Sequence, residues 1–174
     1  MDWQDNESLA YRPELREKLI QGFHHGFALL KNFIEVDHTA LDVADSYYWA
    51  KQKRLLTKDD DANYNNRWLQ FTGPFIDKTK RIVDDVHRTL GTVNAHVYAN
   101  WIKNGHQYGR HKDSMDVVIV QVWNKMAYCC ESPYNGRPHH SYVLDPGDAI
   151  YIRAGTYHTP VIFGERMSLS FSWN

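Results

Sequence analysis

The stretch Gly109-Arg110-His111-Lys112-Asp113 decides the fold of this chain, and a further histidine, His158, follows 47 residues after His111. His111 and Asp113 stand two positions apart, beside residues 117–123, whose apolar run has the pattern of a buried β-strand. Because successive strand residues point to opposite faces, a spacing of two sends both side chains to one face. Residues 145–152, a Pro-Gly turn followed by an apolar run, predict a second turn and strand ahead of His158. The sequence therefore predicts that the three side chains meet.

These three residues have the chemistry of a metal site. Two imidazoles and one carboxylate on one side of a metal ion are the ligand set of non-haem Fe(II) oxygenases, and they leave the remaining positions open. An isolated His-x-Asp pair is weak by itself, since the chain holds ten histidines. The strand-and-turn context favours the metal site, so we predict that His111, Asp113 and His158 bind Fe(II).

Length and composition limit the classes of protein that fit. The 174 residues suffice for one domain with a buried core, and 43% hydrophobic with 24% charged residues is typical of a globular chain. With 20 basic and 21 acidic residues, the charge gives no signal for nucleic acid or an anionic membrane. No apolar run has the length of a membrane span. The sequence therefore gives no clear nucleic-acid signal, although a local basic patch stays open, and we predict no membrane partner.

The two cysteines are adjacent, at Cys129 and Cys130. Neighbouring strand residues point to opposite faces, so we predict no disulfide, with one thiol buried and the other half-exposed. The N-terminus lacks the basic and then apolar order of a signal peptide. Both observations favour a cytoplasmic protein.

The character of the chain changes near Gly91. We predict a single domain, residues 1–174, with a helix-rich support at 1–91 and a β-rich core at 92–174, which makes the class α+β. Helices are predicted at residues 13–22, 39–56 and 74–90, a strand at 26–33 and a loop at 57–73. Strands of the core are predicted at residues 94–102, 117–123, 125–130, 142–144, 149–152, 160–163 and 168–173. Many short strands between Gly, Pro and Asn turns are typical of a barrel or sandwich.

The last predicted strand is polar along one face. Alternation places Arg166, Ser168, Ser170 and Ser172 on one side and apolar residues on the other. A guanidinium and hydroxyl groups can together bind a carboxylate, so this face fits the lining of a polar pocket. A polar face turned to solvent is the alternative that the pattern leaves open.

Three stretches together resemble the 2-oxoglutarate- and Fe(II)-dependent oxygenases of the double-stranded β-helix fold, with prolyl-hydroxylase-type motifs. Tyr98 and residues 104–113 look like the approach to the first two iron ligands, and residues 147–158 like the approach to the distal histidine. Residues 160–168 are similar to the strand that holds the far carboxylate of 2-oxoglutarate. The resemblance covers most of residues 94–174. It implies a helical N-terminal half packed on a C-terminal jelly-roll (cupin-like) barrel.

The resemblance also implies roles for individual residues. His111, Asp113 and His158 would hold Fe(II), while 2-oxoglutarate and O2 would take the open positions. Arg166, with Ser168 and Tyr98, would bind the distal carboxylate of 2-oxoglutarate. The implied reaction hydroxylates a substrate C–H bond and releases succinate and CO2.

One branch of the family differs at the carboxylate anchor. In the Jumonji-C branch, a lysine on the strand after the His-x-Asp motif holds 2-oxoglutarate. By spacing, that position is Met126 in this chain, with Lys125 beside it. We therefore predict that Arg166, rather than Lys125, is the anchor.

Two other functions and the choice of substrate stay open at this point. A metal-binding cupin enzyme that does not use 2-oxoglutarate needs no clamp of Arg166 and Ser168, and a non-catalytic cupin-like binding module needs no metal triad. The substrate is a peptide or protein side chain or a small molecule, because loops that one sequence does not decode select it.

Overall fold

A computed structural model describes residues 3–56, 68–100 and 108–173. The helices are α1 (Glu7–Ala10), α2 (Pro13–His25), α3 (Ala40–Gln52) and α4 (Asp77–Leu90). The strands are β1 (Phe27–Leu30), β2 (Trp68–Thr72), β3 (Asn94–Asn100), β4 (Val117–Trp123), β5 (Met126–Glu131), β6 (Pro138–Leu144), β7 (Ala149–Ile152), β8 (His158–Ile162) and β9 (Arg166–Ser172). No helix in these ranges has the length and apolar character needed to cross a membrane.

The strands form two antiparallel sheets. The larger sheet has the order β1-β7-β4-β9-β3-β2, and the smaller one has the order β6-β5-β8. One apolar cluster joins them, with Val117, Ile119 and Ile150 of the larger sheet and Met126 and Leu144 of the smaller one. The sheets therefore enclose a common interior, as the predicted barrel requires.

A second apolar cluster joins the other face of the larger sheet to the helices. It combines helix residues such as Leu19, Val43 and Val86 with strand residues such as Val97 and Leu169. At Gly22 of α2, a Cβ atom would lie 2.6 Å from Cδ1 of Tyr151 on β7. The absence of a side chain at this glycine therefore lets helix and sheet approach closely.

Several helix ends follow their sequence signals and others do not. Pro13 opens α2 as predicted, and Gly91 ends α4 in the left-handed conformation. The prediction that α2 ends at Gly22 is wrong, because the left-handed residue that ends it is Gly26. Helix α4 begins at Asp77 rather than at residue 74.

Helix α3 presents a different face to the core from the one its apolar residues suggest. The sequence favours Leu41, Ala44, Tyr48 and Leu55 as one apolar side, yet Leu41 and Tyr48 are 71% and 64% exposed, and only Leu55, after the end of the helix, packs against the core. Small residues, Val43 and Ala50 among them, face the core instead. The buried side of this helix is therefore made of small residues, Val43, Ser46 and Ala50, which the apolar pattern of the sequence does not mark.

The strands are confirmed with shifted ends. β4 has the predicted bounds, whereas β6 begins at residue 138 instead of 142. Residues 68–72 form β2, so the loop predicted at 57–73 is wrong there, and residues 57–67 lie outside the described part. Residues 101–102 of the strand predicted after residue 94 also lie outside it. Cys130 is buried and Cys129 half-buried, both as free thiols, as predicted.

Candidate metal centre and its pocket

The structure brings His111, Asp113 and His158 together. One ligand atom from each residue lies within 4.8 Å of the others, and Nε2 of His158 is 3.6 Å from Oδ2 of Asp113. His158 is the first residue of β8, whereas His111 lies in an isolated β-bridge to His158 and Asp113 follows in a loop. The expected strand face for His111 and Asp113 is therefore wrong in detail, although their side chains do converge with His158.

The hydrogen bonds of the two imidazoles fix which nitrogen faces the third ligand. Nδ1 of His111 is 2.7 Å from the carbonyl oxygen of Gly109, and Nδ1 of His158 is 3.0 Å from that of Thr156. A carbonyl can only accept, so each Nδ1 carries the proton and each Nε2 offers a lone pair. Metal-bound histidines are usually held by such a bond on the second nitrogen.

Burial keeps His158 in the form that binds metal. Its side chain is 1% exposed, and burial lowers its pKa, although the hydrogen bond to Thr156 and the charge of Asp113 act in the opposite direction. The neutral imidazole is the form that coordinates a metal ion. Together with the carboxylate of Asp113, the site has two neutral donors and one anionic donor, which fits a divalent cation.

Asp116 ties the segment of the first two ligands to the turn before the third. Its Oδ1 accepts a hydrogen bond from the amide of Ala154 at 2.8 Å, and its Oδ2 accepts one from the hydroxyl of Tyr151 at 2.6 Å. The amide of Gly155 donates to the carbonyl oxygen of Asp113 at 2.8 Å. These bonds set the position of the turn relative to Asp113 without touching the ligand atoms.

The triad opens onto a cavity of about 300 Å³ between the two sheets. Its lining has an apolar side that includes Met115, Val117 and Ile119 of the β4 region, and a polar side with Ser170 and Ser172 of β9. The predicted alternation of β9 is thus seen: Arg166, Ser170 and Ser172 of its polar face line the cavity, and its apolar face lies in the core beneath the helices.

Arg166 is a buried cation in the wall of this cavity. The residue is 4% exposed. Its Nη1 donates hydrogen bonds to the carbonyl oxygen of Tyr98 at 2.9 Å and to the hydroxyl of Ser168 at 3.2 Å. Its Nε has no hydrogen-bond partner within the described ranges, and no carboxylate there pairs with the guanidinium. Burial lowers the pKa of Arg166, because the cation has left water without a compensating anion.

Lys125 and Arg166, the two candidate anchors for the carboxylate, lie in different parts of the barrel. Lys125 is largely exposed, and its ammonium pairs with Asp145 at 2.9 Å on the outside of the barrel. Met126 is fully buried, with its sulfur 3.2 Å from the hydroxyl of Ser168. Among the described lining residues, Arg166 is therefore the cation that the cavity offers to an anionic group.

Ser168 supports Arg166 from behind the cavity wall. Its hydroxyl accepts from the guanidinium and lies 2.6 Å from the side-chain oxygen of Gln121, to which it donates. It is fully buried and does not line the cavity, unlike Tyr98, which does. The placement of Ser168 differs from the direct contact that the sequence predicts.

The sequence analysis missed Tyr128. This residue of β5 lines the cavity, and its ring centroid is 6.2 Å from that of His158. Burial raises the pKa of its hydroxyl, and the charge of Arg166 offsets part of this increase. Tyr128 therefore keeps its proton and can donate a hydrogen bond beside the guanidinium. Its position two residues after Met126, hence on the same strand face, was the available signal.

Comparisons with known proteins agree with this fold. A family profile described as a JmjC domain matches residues 70–174. YcfD, a ribosomal oxygenase from Escherichia coli in complex with cobalt and 2-oxoglutarate, superposes with a TM-score of 0.60 at 13% identity, over 92% of this chain and 51% of that chain. Its complex with cobalt and succinic acid gives a TM-score of 0.58 at 14% identity over the same shares. A search of curated proteins found no match.

These likenesses have a limited reach. At identities of 13% and 14% the superpositions show the fold alone. The chain spans about half the length of YcfD, since it covers 51% of that chain. The family match includes every residue of the triad and Arg166, and excludes α1, α2 and α3.

Proposed function

Because the chain belongs to the JmjC domain family, we propose that it is an Fe(II)- and 2-oxoglutarate-dependent oxygenase that hydroxylates a C–H bond and releases succinate and CO2. One observation carries the proposal: the cluster of His111, Asp113 and His158 lines the same cavity as the guanidinium of Arg166, which pairs with no carboxylate among the described residues. A site for a metal and a site for a carboxylate then belong to one pocket, as a keto acid with a second carboxylate requires.

The metal would be held by Nε2 of His111, Nε2 of His158 and a carboxylate oxygen of Asp113. Once bound, Fe(II) supplies the chelation of the keto acid and the reduction of O2. The chain's own part is to present three ligands from one side and to leave the other side open toward the cavity. The Nδ1 hydrogen bonds to Gly109 and Thr156 hold both rings in that orientation.

Arg166 would bind the distal carboxylate of 2-oxoglutarate. Pairing with that carboxylate would offset the cost of burying a cation that has no anionic partner in the described part of the chain, and this favours binding. Ser168 and the carbonyl oxygen of Tyr98 orient the guanidinium. We assign to Tyr128 a donated hydrogen bond to the same carboxylate, and to Tyr98 a place in the wall beside it.

The remaining wall would orient the substrate and exclude water. Met115, Val117 and Ile119 make one side of the cavity apolar, and such a surface leaves no hydrogen-bonding site for stray water near the metal. YcfD is a ribosomal oxygenase by its name. On that analogy we favour a polypeptide side chain over a small molecule as substrate, and a cytoplasmic location.

The main alternative is a metal cupin enzyme that does not use 2-oxoglutarate. Such an enzyme has no use for a buried guanidinium without a carboxylate partner, and keeping one would cost stability for no gain. The buried Arg166 therefore favours the keto acid as co-substrate. A non-catalytic binding module is disfavoured by the same residue together with the triad.

Succinate formation tests the proposed function. The purified chain is incubated in air with Fe(II), ascorbate and 2-oxoglutarate, and succinate is followed by NMR, with Arg166→Ala and Lys125→Ala as the matched pair of cation variants. We expect succinate from the wild type and from Lys125→Ala, and at least a tenfold loss in Arg166→Ala. No succinate above the metal-free control, with and without a library of peptides, would refute the proposal.

A further inference from the structure

A second, larger cavity lies on the side of the barrel, away from the metal centre. This lateral groove, of about 740 Å³, is lined by one face of α2, by β1 with the residues after it, and by His140 and Tyr142 of β6. None of its described lining residues lines the cavity around the triad. It is therefore a separate surface that the proposed oxygenase chemistry does not use.

Both sheets end at this groove. β1 is the outermost strand of the larger sheet on this side, and β6 is the outermost strand of the smaller one. In the described part of the chain no further strand pairs with either of them. An open strand edge presents backbone donors and acceptors that another extended segment can pair with.

The backbone of Leu29 points into the groove. The amide of Arg153 donates to the carbonyl oxygen of Gly26 at 2.8 Å, which marks these two as a hydrogen-bonded pair of the β1–β7 ladder. Bonded pairs alternate along an antiparallel ladder, so Ala28 is bonded to β7, and Leu29 turns its N–H and C=O the other way. Leu29 lines the groove, so a strand laid there meets a backbone donor and acceptor.

The charge of the groove selects the kind of segment. Arg12 and Lys18 both line it, are exposed, and have no ion-pair partner among the described residues. Lys31 adds a third cation, which is held by Asp148 and Asp145. Glu14 is the one carboxylate in the described lining. The excess of positive charge favours a segment with acidic side chains.

The floor of the groove is apolar. Phe27 and Leu29 of β1 and Tyr142 of β6 line it on the side away from α2, and the ring of Phe27 meets that of Tyr142 edge to face, with centroids 6.0 Å apart. A bound strand alternates its side chains between two faces. An alternating acidic and apolar sequence would therefore place its apolar side chains on this floor and its carboxylates toward Arg12 and Lys18.

We propose that the lateral groove binds an acidic, extended polypeptide segment of a partner, which adds to β1 as a further strand. The backbone pairing at Leu29 supplies affinity. Arg12 and Lys18, which have no ion-pair partner in the described part of the chain, supply the preference for acidic residues. The proposal goes beyond the oxygenase function and does not depend on it.

Binding of two labelled peptides tests the proposal in the full chain, without iron or 2-oxoglutarate. The probes are twelve-residue peptides, one alternating Glu with Val and one alternating Lys with Val, followed by fluorescence anisotropy. The variant is Arg12→Glu with Lys18→Glu. The matched control is Arg16→Glu, because Arg16 is exposed on the same helix but faces the side of α1 rather than the groove.

We expect the Glu-Val peptide to bind at least tenfold more tightly than the Lys-Val peptide. The double variant should weaken Glu-Val binding at least tenfold, and Arg16→Glu should leave it within twofold. Hydrogen exchange at the amide of Leu29 should slow when the peptide binds, while the amides of β2, at the other edge of the sheet, stay unchanged.

Equal binding of the two peptides, binding of neither, an unaffected double variant or an unprotected Leu29 amide would each overturn the proposal. Because the assay contains no iron and no co-substrate, such a result leaves the proposed oxygenase function untouched. Conversely, absence of succinate formation would leave the peptide-binding proposal for the lateral groove untouched.

Discussion

Two backbone hydrogen bonds link His111 to His158. The amide of His111 donates to the carbonyl oxygen of His158 at 3.0 Å, and the amide of His158 donates back at 2.8 Å. This reciprocal pair is an isolated bridge, so the two residues stand directly opposite each other across the gap between the smaller sheet and the loop of Asp113. The distance between the two imidazoles is therefore fixed by main-chain hydrogen bonds, before any metal binds.

The first prediction concerns the metal. His111→Ala with His158→Ala should abolish stoichiometric binding of Fe(II) or Co(II), because a single carboxylate is left. His140→Ala, which removes an exposed imidazole of the lateral groove, should leave binding unchanged. Equilibrium dialysis with metal analysis measures both. Tight one-to-one binding by the double variant would place the metal elsewhere.

The second prediction separates the function of Arg166 from its effect on stability. Arg166→Met should not lower the melting temperature of the protein without co-substrate, because it removes a buried cation that has no anionic partner within residues 3–56, 68–100 and 108–173. With metal present, 2-oxoglutarate should raise the melting temperature of the wild type by mass action and fail to raise that of the variant. Losing one partner of a buried charge pair typically costs about 2–5 kcal/mol of binding free energy.

Two outcomes of that experiment speak against the assignment. One is an equal thermal shift by 2-oxoglutarate in Arg166→Met and in the wild type. The other is loss of the shift in Lys125→Ala but not in Arg166→Met, which would favour the exposed lysine beside Met126. Succinate as a second ligand checks that the shift follows the carboxylate.

The third prediction concerns the link between the ligand segments. Asp116→Ala leaves the amide of Ala154 and the hydroxyl of Tyr151 without their acceptor, which should cost about 1–3 kcal/mol of unfolding free energy. It should also weaken metal binding, since the turn before His158 loses its tie to the Asp113 segment. Tyr151→Phe removes only one of the two bonds and is the matched control, with a smaller effect on the metal. Equal metal affinity in Asp116→Ala and the wild type would show that the tie serves stability alone.

The fourth prediction tests the contact of α2 with the larger sheet. By helix propensity alone, Gly22→Ala would stabilise the protein by about 1 kcal/mol. The added Cβ would lie 2.6 Å from Cδ1 of Tyr151 and 2.8 Å from Cβ of Ala28, and overpacking of this kind typically costs about 1–3 kcal/mol. We therefore expect a net loss in urea unfolding, against a neutral Gly164→Ala, whose Cβ meets no atom within 4 Å. A gain in stability would contradict the close approach.

Local signals predicted those features that depend on a few neighbouring residues. Pro13 and Gly91 mark helix ends because their backbone preferences act at one position, and alternation along β9 separates the cavity face from the core face. The three candidate ligands were found for the same reason, since residue type and spacing define them.

Features that depend on distant partners were not predicted. β2 is a strand because it pairs with β3, and a five-residue segment that follows Asn63, Asn65 and Asn66 does not reveal that partner by itself. The buried face of α3 is set by the space beneath the helix, so Leu41 points to solvent. Tyr128 was missed because a strand tyrosine has the same pattern in a core and in a pocket wall. Only the assembled barrel shows that it borders Arg166.

The central claim is that the metal triad and Arg166 hold the two ends of one 2-oxoglutarate molecule, and an anaerobic titration tests it most directly. The keto acid end gives a visible charge-transfer band when it chelates Fe(II), so the presence of the band reports binding at the metal. The 2-oxoglutarate concentration at the midpoint of the titration reports the contribution of the distal carboxylate. We expect a one-to-one band that needs both Fe(II) and 2-oxoglutarate, is absent in His111→Ala with His158→Ala, and in Arg166→Ala forms only at a concentration at least tenfold higher. A band of unchanged midpoint in Arg166→Ala, or no band in the wild type, would contradict the claim.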